Sequence, residues 1–169
     1  TRLDDPARNV SDLVHRLLAG MTTTTESLGA LQEVPVCYGG AHGEDLAAAA
    51  SALGLDEATL IARHSAAVYT VAMIGFAPGF PYLLGLDPGL ILPRLATPRT
   101  RVPAGSVAIA GAQAGIYPRE SPGGWRLLGR TPLTLFDPAR AQPSLLQPGD
   151  RVRFVPIGAD EFTRLERTP

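Results

Sequence analysis

Apolar and polar positions recur with three different rhythms along the chain. In SDLVHRLLAG, Leu13, Val14, Leu17 and Leu18 follow helical spacing, with Ser11 placed as N-cap and Gly20 as the stop. His15 falls on the polar side of that helix. TTTTESLGALQE, residues 22–33, is polar and without period, and reads as a connection. From Val34 the texture changes. VPVCY is a short strand followed by the turn GGAHG. EDLAAAASALG predicts an Ala-rich helix stopped by Gly54, and DEATLIARHS a second helix with Asp56 at its N-cap. VYTVAMI, rich in β-branched and aromatic residues, predicts a central strand.

The next stretch, MIGFAPGFPYLLGL, is apolar enough to be buried but is broken by Pro78, Pro81, Gly75, Gly79 and Gly85. It predicts a stiff irregular loop that presents Phe76, Phe80 and Tyr82, either at the mouth of a site or against a partner, or as a plug for a barrel end. Beyond it, GSVAIAG, AGIYP, GWRLLG, LTLFD and DRVRFVPI are short apolar runs between Pro/Gly breaks. Six or more short strands with two helices among them predict a mainly β architecture with some α: a β-barrel with two capping helices.

Composition agrees with this reading. The 18 Gly and 16 Pro of 169 residues are about a fifth of the chain, against a usual share of roughly 12%. The net charge of −1 gives no overall pull toward nucleic acid or an anionic membrane. From Ser65 to Leu86 no charge occurs, yet glycine and proline crowd the second half, which argues against a spanning helix. The opening TRLDDPARN has no signal-sequence pattern, so cytoplasm is the default expectation. The single cysteine, Cys37, excludes an internal disulfide and reads as a small buried residue.

All 15 basic residues are arginines. Six of them (Arg94, Arg99, Arg101, Arg119, Arg126 and Arg130) lie between Pro88 and Phe136, where Glu120 is the one acid. Such a cluster suits an anion-facing wall, and equally a solvated surface in a chain that uses Arg for Lys.

Without lysine there is no P-loop or Schiff-base lysine, and no G-x-S-x-G elbow occurs. His15, His42 and His64 sit apart, without metal-ligand spacing, so no metal is expected. What remains are loops with polar tips. TPRTRVPAGS places Arg99 and Arg101 on one face if extended. GAQAGIYPRESPGGW offers Gln113, Tyr117, Ser121 and the Trp125 indole, with glycines that let backbone N–H groups approach a ligand. Donors of this kind stabilise an oxyanion formed from an amide carbonyl, and the same loops also serve as plain structural turns.

MIGFAPGFPYLLGL, TPRTRVPAGSVAIAGAQAGIYP, ESPGGW, GRTPLTLFD and LQPGDRVRFVPI together resemble the 5-oxoprolinase B-subunit family, collinearly from about Val34 to Ile157. That family also includes allophanate hydrolase subunit 1 and an inhibitor of a sporulation sensor kinase, and is similar to subdomains C and D of the carboxyltransferase domain of urea carboxylase. The resemblance implies a cyclophilin-like β-barrel over residues 31–158, preceded by the remnant of a small α/β domain in residues 1–30 and followed by a tail, 159–169. It implies a subunit that is inactive alone and opens 5-oxoproline to L-glutamate with ATP, the nucleotide held by this chain or its partner. The partner would be a companion of the 5-oxoprolinase C-subunit or allophanate hydrolase subunit 2 type, and the substrate a small anionic amide. In that picture Gln113, Tyr117 and Arg101 are catalytic, while Arg99, Phe76, Phe80, Ser121 and Trp125 bind substrate. Two other readings stay open: carboxyl transfer to a urea-like acceptor, and a binding module that inhibits a histidine kinase.

Overall fold

The structure, a computed structural model, describes residues 29–167. The expected N-terminal helix, the remnant domain and most of the polar connection lie outside the described residues. Seven strands close a barrel in the order β1 (Leu31–Tyr38), β8 (Arg126–Arg130), β5 (Ser106–Ala110), β6 (Gln113–Ile116), β3 (Pro81–Leu84), β2 (Val68–Ile74) and β9 (Arg151–Ile157). Neighbours are antiparallel except β1 and β9, which run parallel from Leu31↔Arg151 to Cys37↔Ile157. Two further strands, β4 (Arg99–Val102) and β7 (Ser121–Gly123), pair only with each other and form a small separate sheet.

Among the described residues three α-helices accompany the barrel: α1 (Leu46–Leu53), α2 (Glu57–Ala66) and α3 (Ala159–Glu166). Gly54 ends α1 in the left-handed conformation at φ 67°, its N–H directed to the carbonyls of Ala50 and Ser51. Asp56 caps α2, its carboxylate accepting the Thr59 N–H at 2.6 Å. The third helix lies within the residues expected as a C-terminal tail. Its acids Asp160 and Glu161 occupy the first turn, and Phe162 is buried against His42 at 4.4 Å between ring centroids.

Other expectations change as well. Leu31–Glu33, read as connection, belong to β1, where the parallel partner β9 satisfies their backbone. LTLFD is no strand: Leu135 is buried, but the segment makes only an isolated bridge from Phe136 to Ser144. The broken segment from Gly75 to Leu84 contains a strand after all, because Pro81 stands first in β3, where the missing N–H is tolerated.

The strand pleat divides the interior in two. Val107 and Ile109 of β5 and Ala114 and Ile116 of β6 point into the barrel, joining Val34, Val36, Tyr69, Val71, Leu128, Val152 and Phe154. The alternate positions face outward and should be wet, yet all five residues of β5 are buried. The reason is a second apolar cluster, in which Ala108 and Ala110 meet Ala77, Phe80, Val102, Tyr117, Trp125 and Leu127. Gly115 lies opposite both Ala108 and Tyr82 in register. A Cβ there would stand 2.9 Å from Phe80 and 3.0 Å from Trp125. The small side chains of this wall make room for the aromatic layer above it.

Candidate functional site

The aromatic layer encloses a recess of about 70 Å³ lined by Phe76, Phe80, Tyr82, Arg94, Tyr117, Gly123, Gly124 and Trp125. That is enough for several waters or a small ring, and well below the roughly 300–1,000 Å³ of drug-sized sites. Phe80 is the hub. Its ring meets Tyr82 at 4.9 Å, Tyr117 at 5.2 Å, Phe76 at 5.4 Å and Trp125 at 5.6 Å. The edge-on geometry of most of these contacts favours aromatic pairing beyond simple burial.

The loop that delivers Phe76 is tightly closed. Gly75 N–H donates to the Phe80 carbonyl, Phe80 N–H to Ala77, and Ala77 N–H to Gly75 at 2.7 Å. This last bond spans two residues and centres a γ-turn on Phe76, the one described non-glycine residue with positive φ, at 65°. Phe80 is buried, whereas Phe76 is 61% exposed. The two phenylalanines therefore have different roles: one anchors the second core, the other stands at the rim of the recess in a strained conformation. None of the three aromatics plugs a barrel end, since the cluster they join lies outside the barrel wall.

Polar groups in the recess are few. Tyr117 is almost fully buried, and desolvation raises its hydroxyl above the ordinary phenol range, with the Trp125 backbone amide and Arg94 pulling weakly the other way. The phenol is protonated at neutral pH and available as a donor. Its fit is close, because a Cβ at Gly123 would collide with the Tyr117 hydroxyl. Arg94 lies over the Trp125 ring, its guanidinium carbon 5.7 Å from the centroid. The backbone on either side of Arg94 is fixed: Gly111 N–H donates to Leu92, Arg126 Nε to Pro93, and Leu95 N–H to Gly124.

Of the eight residues expected to form the site, four meet here: Phe76, Phe80, Tyr117 and Trp125. Arg99 does not line the recess. It is held by Asp45 at 2.7 Å and Glu44 at 3.6 Å, and Asp45 also accepts the Leu127 N–H. Arg101 is exposed and paired with Glu120 at 2.6 Å. Gln113 opens β6 and Ser121 opens β7, and neither reaches the lining, although the Ser121 hydroxyl is buried without a partner among the described residues. Arg130 is engaged by Glu166 and the Ala104 carbonyl. The expected arginine wall is thus largely tied up internally.

Sequence reasoning expects Tyr82 at the mouth of a site or against a partner without a stated role, counts Arg94 only within the arginine group, and does not single out Gly123 and Gly124. The arginines are sorted by acids far away in the chain, such as Asp45 for Arg99, and nothing local announces that pairing. A wider, shallow groove of about 520 Å³ beside α2 and β9 is a weaker candidate, because its charged residues, Glu33 and Arg153, bond each other. No group of three or more His, Cys, Asp or Glu side chains is placed to hold a metal among the described residues. No helix of the described residues is long and apolar enough to cross a membrane.

The arrangement can stack a small flat molecule, place a cation at its edge and direct a phenolic donor at it. Its lining holds no carboxylate, imidazole, thiol or aliphatic hydroxyl. It can bind and polarise, but it contains no general base.

Comparison with known proteins agrees with the architecture. The chain is 57% identical over 124 residues to the B subunit of 5-oxoprolinase from Escherichia coli O157:H7, covering 73% of this chain and 57% of that protein. It is 43% identical over 160 residues to the B subunit of 5-oxoprolinase from Bacillus subtilis, covering 95% of this chain and 67% of the relative. The chain thus spans little more than half the length of the first of these. A conserved protein from Pyrococcus horikoshii superimposes with a TM-score of 0.77 at 45% identity, over 92% of this chain and 68% of that one. The Kluyveromyces lactis urea amidolyase, at 24% identity and a TM-score of 0.69, over 80% of this chain and 10% of that one, shares the fold. Residues 2–146 match the model of the carboxyltransferase domain, subdomains C and D, and the chain belongs to that family.

Proposed function

We propose that this chain is a non-autonomous subunit of an ATP-dependent 5-oxoprolinase, which opens 5-oxoproline to L-glutamate together with a companion subunit. The observation that carries the reading is a recess with a stacking surface and donors for a small amide but no general base of its own. The lactam sits among Phe76, Phe80 and Trp125, and the Tyr117 hydroxyl donates to its carbonyl. Donation to an oxygen that gains charge as the carbonyl is attacked lowers the barrier. The companion contributes the acid–base groups. A lactam is a stable amide, so ATP is needed to activate either its carbonyl or the attacking water. The recess suits a five-membered ring rather than a nucleotide, so ATP binds beside it or on the companion. The names of the relatives support the same reading.

A second reading, carboxyl transfer to a urea-like acceptor, draws on 36% identity over 93 residues to a urea amidolyase of Lachancea kluyveri, 5% of that protein. Arg94 at the recess favours an acidic ligand over neutral urea.

The test is glutamate release from 5-oxoproline by the chain co-expressed with its companion subunit. Release that requires ATP and both polypeptides is expected. Robust cleavage by the purified chain alone contradicts the non-autonomous part, and ATP-dependent carboxylation of urea without glutamate release contradicts the substrate.

A further inference from the structure

Among the clustered arginines, Arg94 differs in its surroundings. Arg99, Arg101 and Arg130 each have a carboxylate partner, Arg126 is bonded to the Pro93 carbonyl, and Arg119, exposed and without an acidic partner among the described residues, does not line the recess. Arg94 has no acidic partner among the described residues and is solvent-exposed, yet it lies over Trp125 at the wall of the recess. Backbone bonds at Leu92, Pro93 and Leu95 hold its position, which lowers the cost of ordering it around a ligand. The opposite walls are aromatic and the recess contains no acid. A cation without a counterion, held beside a small aromatic recess, is complementary to a flat molecule that bears one carboxylate.

We infer that Arg94 holds the carboxylate of the ligand, with the ligand's ring seated between Trp125 and Phe76. This rests on the reading of the recess as the lactam site and departs from the sequence expectation that Arg99 is the arginine that binds substrate. Arg94 is a binding residue here: the carboxylate it holds is on the carbon beside the amide nitrogen and takes no part in the bond that breaks.

The chain carries its own reporter. Trp125 is its single tryptophan and touches both Arg94 and the recess, so its emission reads occupancy directly. Titrations of the chain and of the complex with its companion use 5-oxoproline, pyrrolidin-2-one (the same ring without the carboxylate), acetate and inorganic phosphate. In the complex, emission from the companion is removed by subtracting the same titration of a W125F complex, which lacks the reporter. Saturable change with 5-oxoproline is expected, with affinity at least tenfold weaker for pyrrolidin-2-one, acetate and phosphate.

R94Q, at an exposed position, should fold normally and lose at least tenfold in affinity, with R94K partly restoring it. R101Q should bind as the parent does. In the complex R94Q should raise KM far more than it lowers kcat, the signature of lost ground-state binding. Equal binding of pyrrolidin-2-one, equal or tighter binding of phosphate, or an unchanged KM in R94Q overturns the inference. So does the absence of any emission change in both the chain and the complex. A complex that releases glutamate with an R94Q KM like the parent's sinks Arg94 and leaves the proposed function standing. An Arg94-dependent response to 5-oxoproline in a complex that releases no glutamate does the reverse.

Discussion

The left-handed turn at Phe76 can be separated from the ring it presents. An L-residue in this region costs roughly 1–2 kcal/mol relative to its preferred conformations, and glycine escapes that cost. Glycine in turn loses roughly 0.5–1 kcal/mol more chain entropy on folding than alanine. Phe76→Gly and Phe76→Ala both delete the same ring. Because Phe76 is 61% exposed, that deletion removes less than half of the roughly 1.5–3 kcal/mol of a fully buried side chain, and it does so equally in both variants. The difference between them isolates the backbone at φ 65°. Glycine should be the more stable by about 0.5–1 kcal/mol, despite being the more flexible residue. Urea unfolding followed by Trp125 emission reads this as a midpoint about 0.3–0.5 M higher for the glycine variant, at a slope of roughly 2 kcal/mol per M. Both variants should bind 5-oxoproline more weakly than the parent. An alanine variant as stable as the glycine one would refute strain at this turn.

Asp45→Ala leaves the Leu127 N–H without its acceptor and Arg99 with only the longer contact to Glu44, and should cost about 1–3 kcal/mol by chemical denaturation, with Asp45→Asn milder. Gly115→Ala drives a methyl into Phe80 and Trp125 and should cost about 1–3 kcal/mol while shifting Trp125 emission, since the aromatic layer must move. His64 is fully buried, stacked on Phe154 at 4.8 Å with the Tyr38 hydroxyl 2.8 Å from Nδ1, and burial pushes its pKa down to about 3. The unfolded chain takes up this proton near pH 6.5 and the folded chain does not. The neutral imidazole thus contributes full stability above about pH 6.5, and that contribution falls by up to about 1.4 kcal/mol per pH unit as pH drops toward 3. Unfolding midpoints of His64→Phe between about pH 7 and pH 4 should lack that component of the slope.

The barrel was readable where strands alternate or run apolar between turn residues, as in VYTVAMI and DRVRFVPI, because a buried wall imposes those patterns. The strands β4 and β7 were not, since each is three or four residues long among prolines and glycines and is held only by the other. Helix α3 did leave a trace: acids in the first turn, then Phe162 and Leu165 at helical spacing, hidden by its place after the last strand. Half of the aromatic site was legible because glycine and proline around large rings mark a loop built to hold them. The arginine assignment was not, because Arg99 is claimed by an acid on the far side of two helices and two strands. What distinguishes Arg94 is its place in the recess wall without an acidic partner among the described residues, which only three-dimensional neighbours can reveal.

Gly123→Ala offers the sharpest test of the recess itself, since a methyl there displaces the Tyr117 hydroxyl and fills the space the lactam needs. The measurement is ATP-dependent glutamate release by the variant chain assembled with its companion subunit, with complex formation checked by size-exclusion chromatography. An intact complex whose release falls at least tenfold below that of the parent is expected. An intact Gly123→Ala complex that releases glutamate at the parental rate would contradict the reading of the recess as the lactam site.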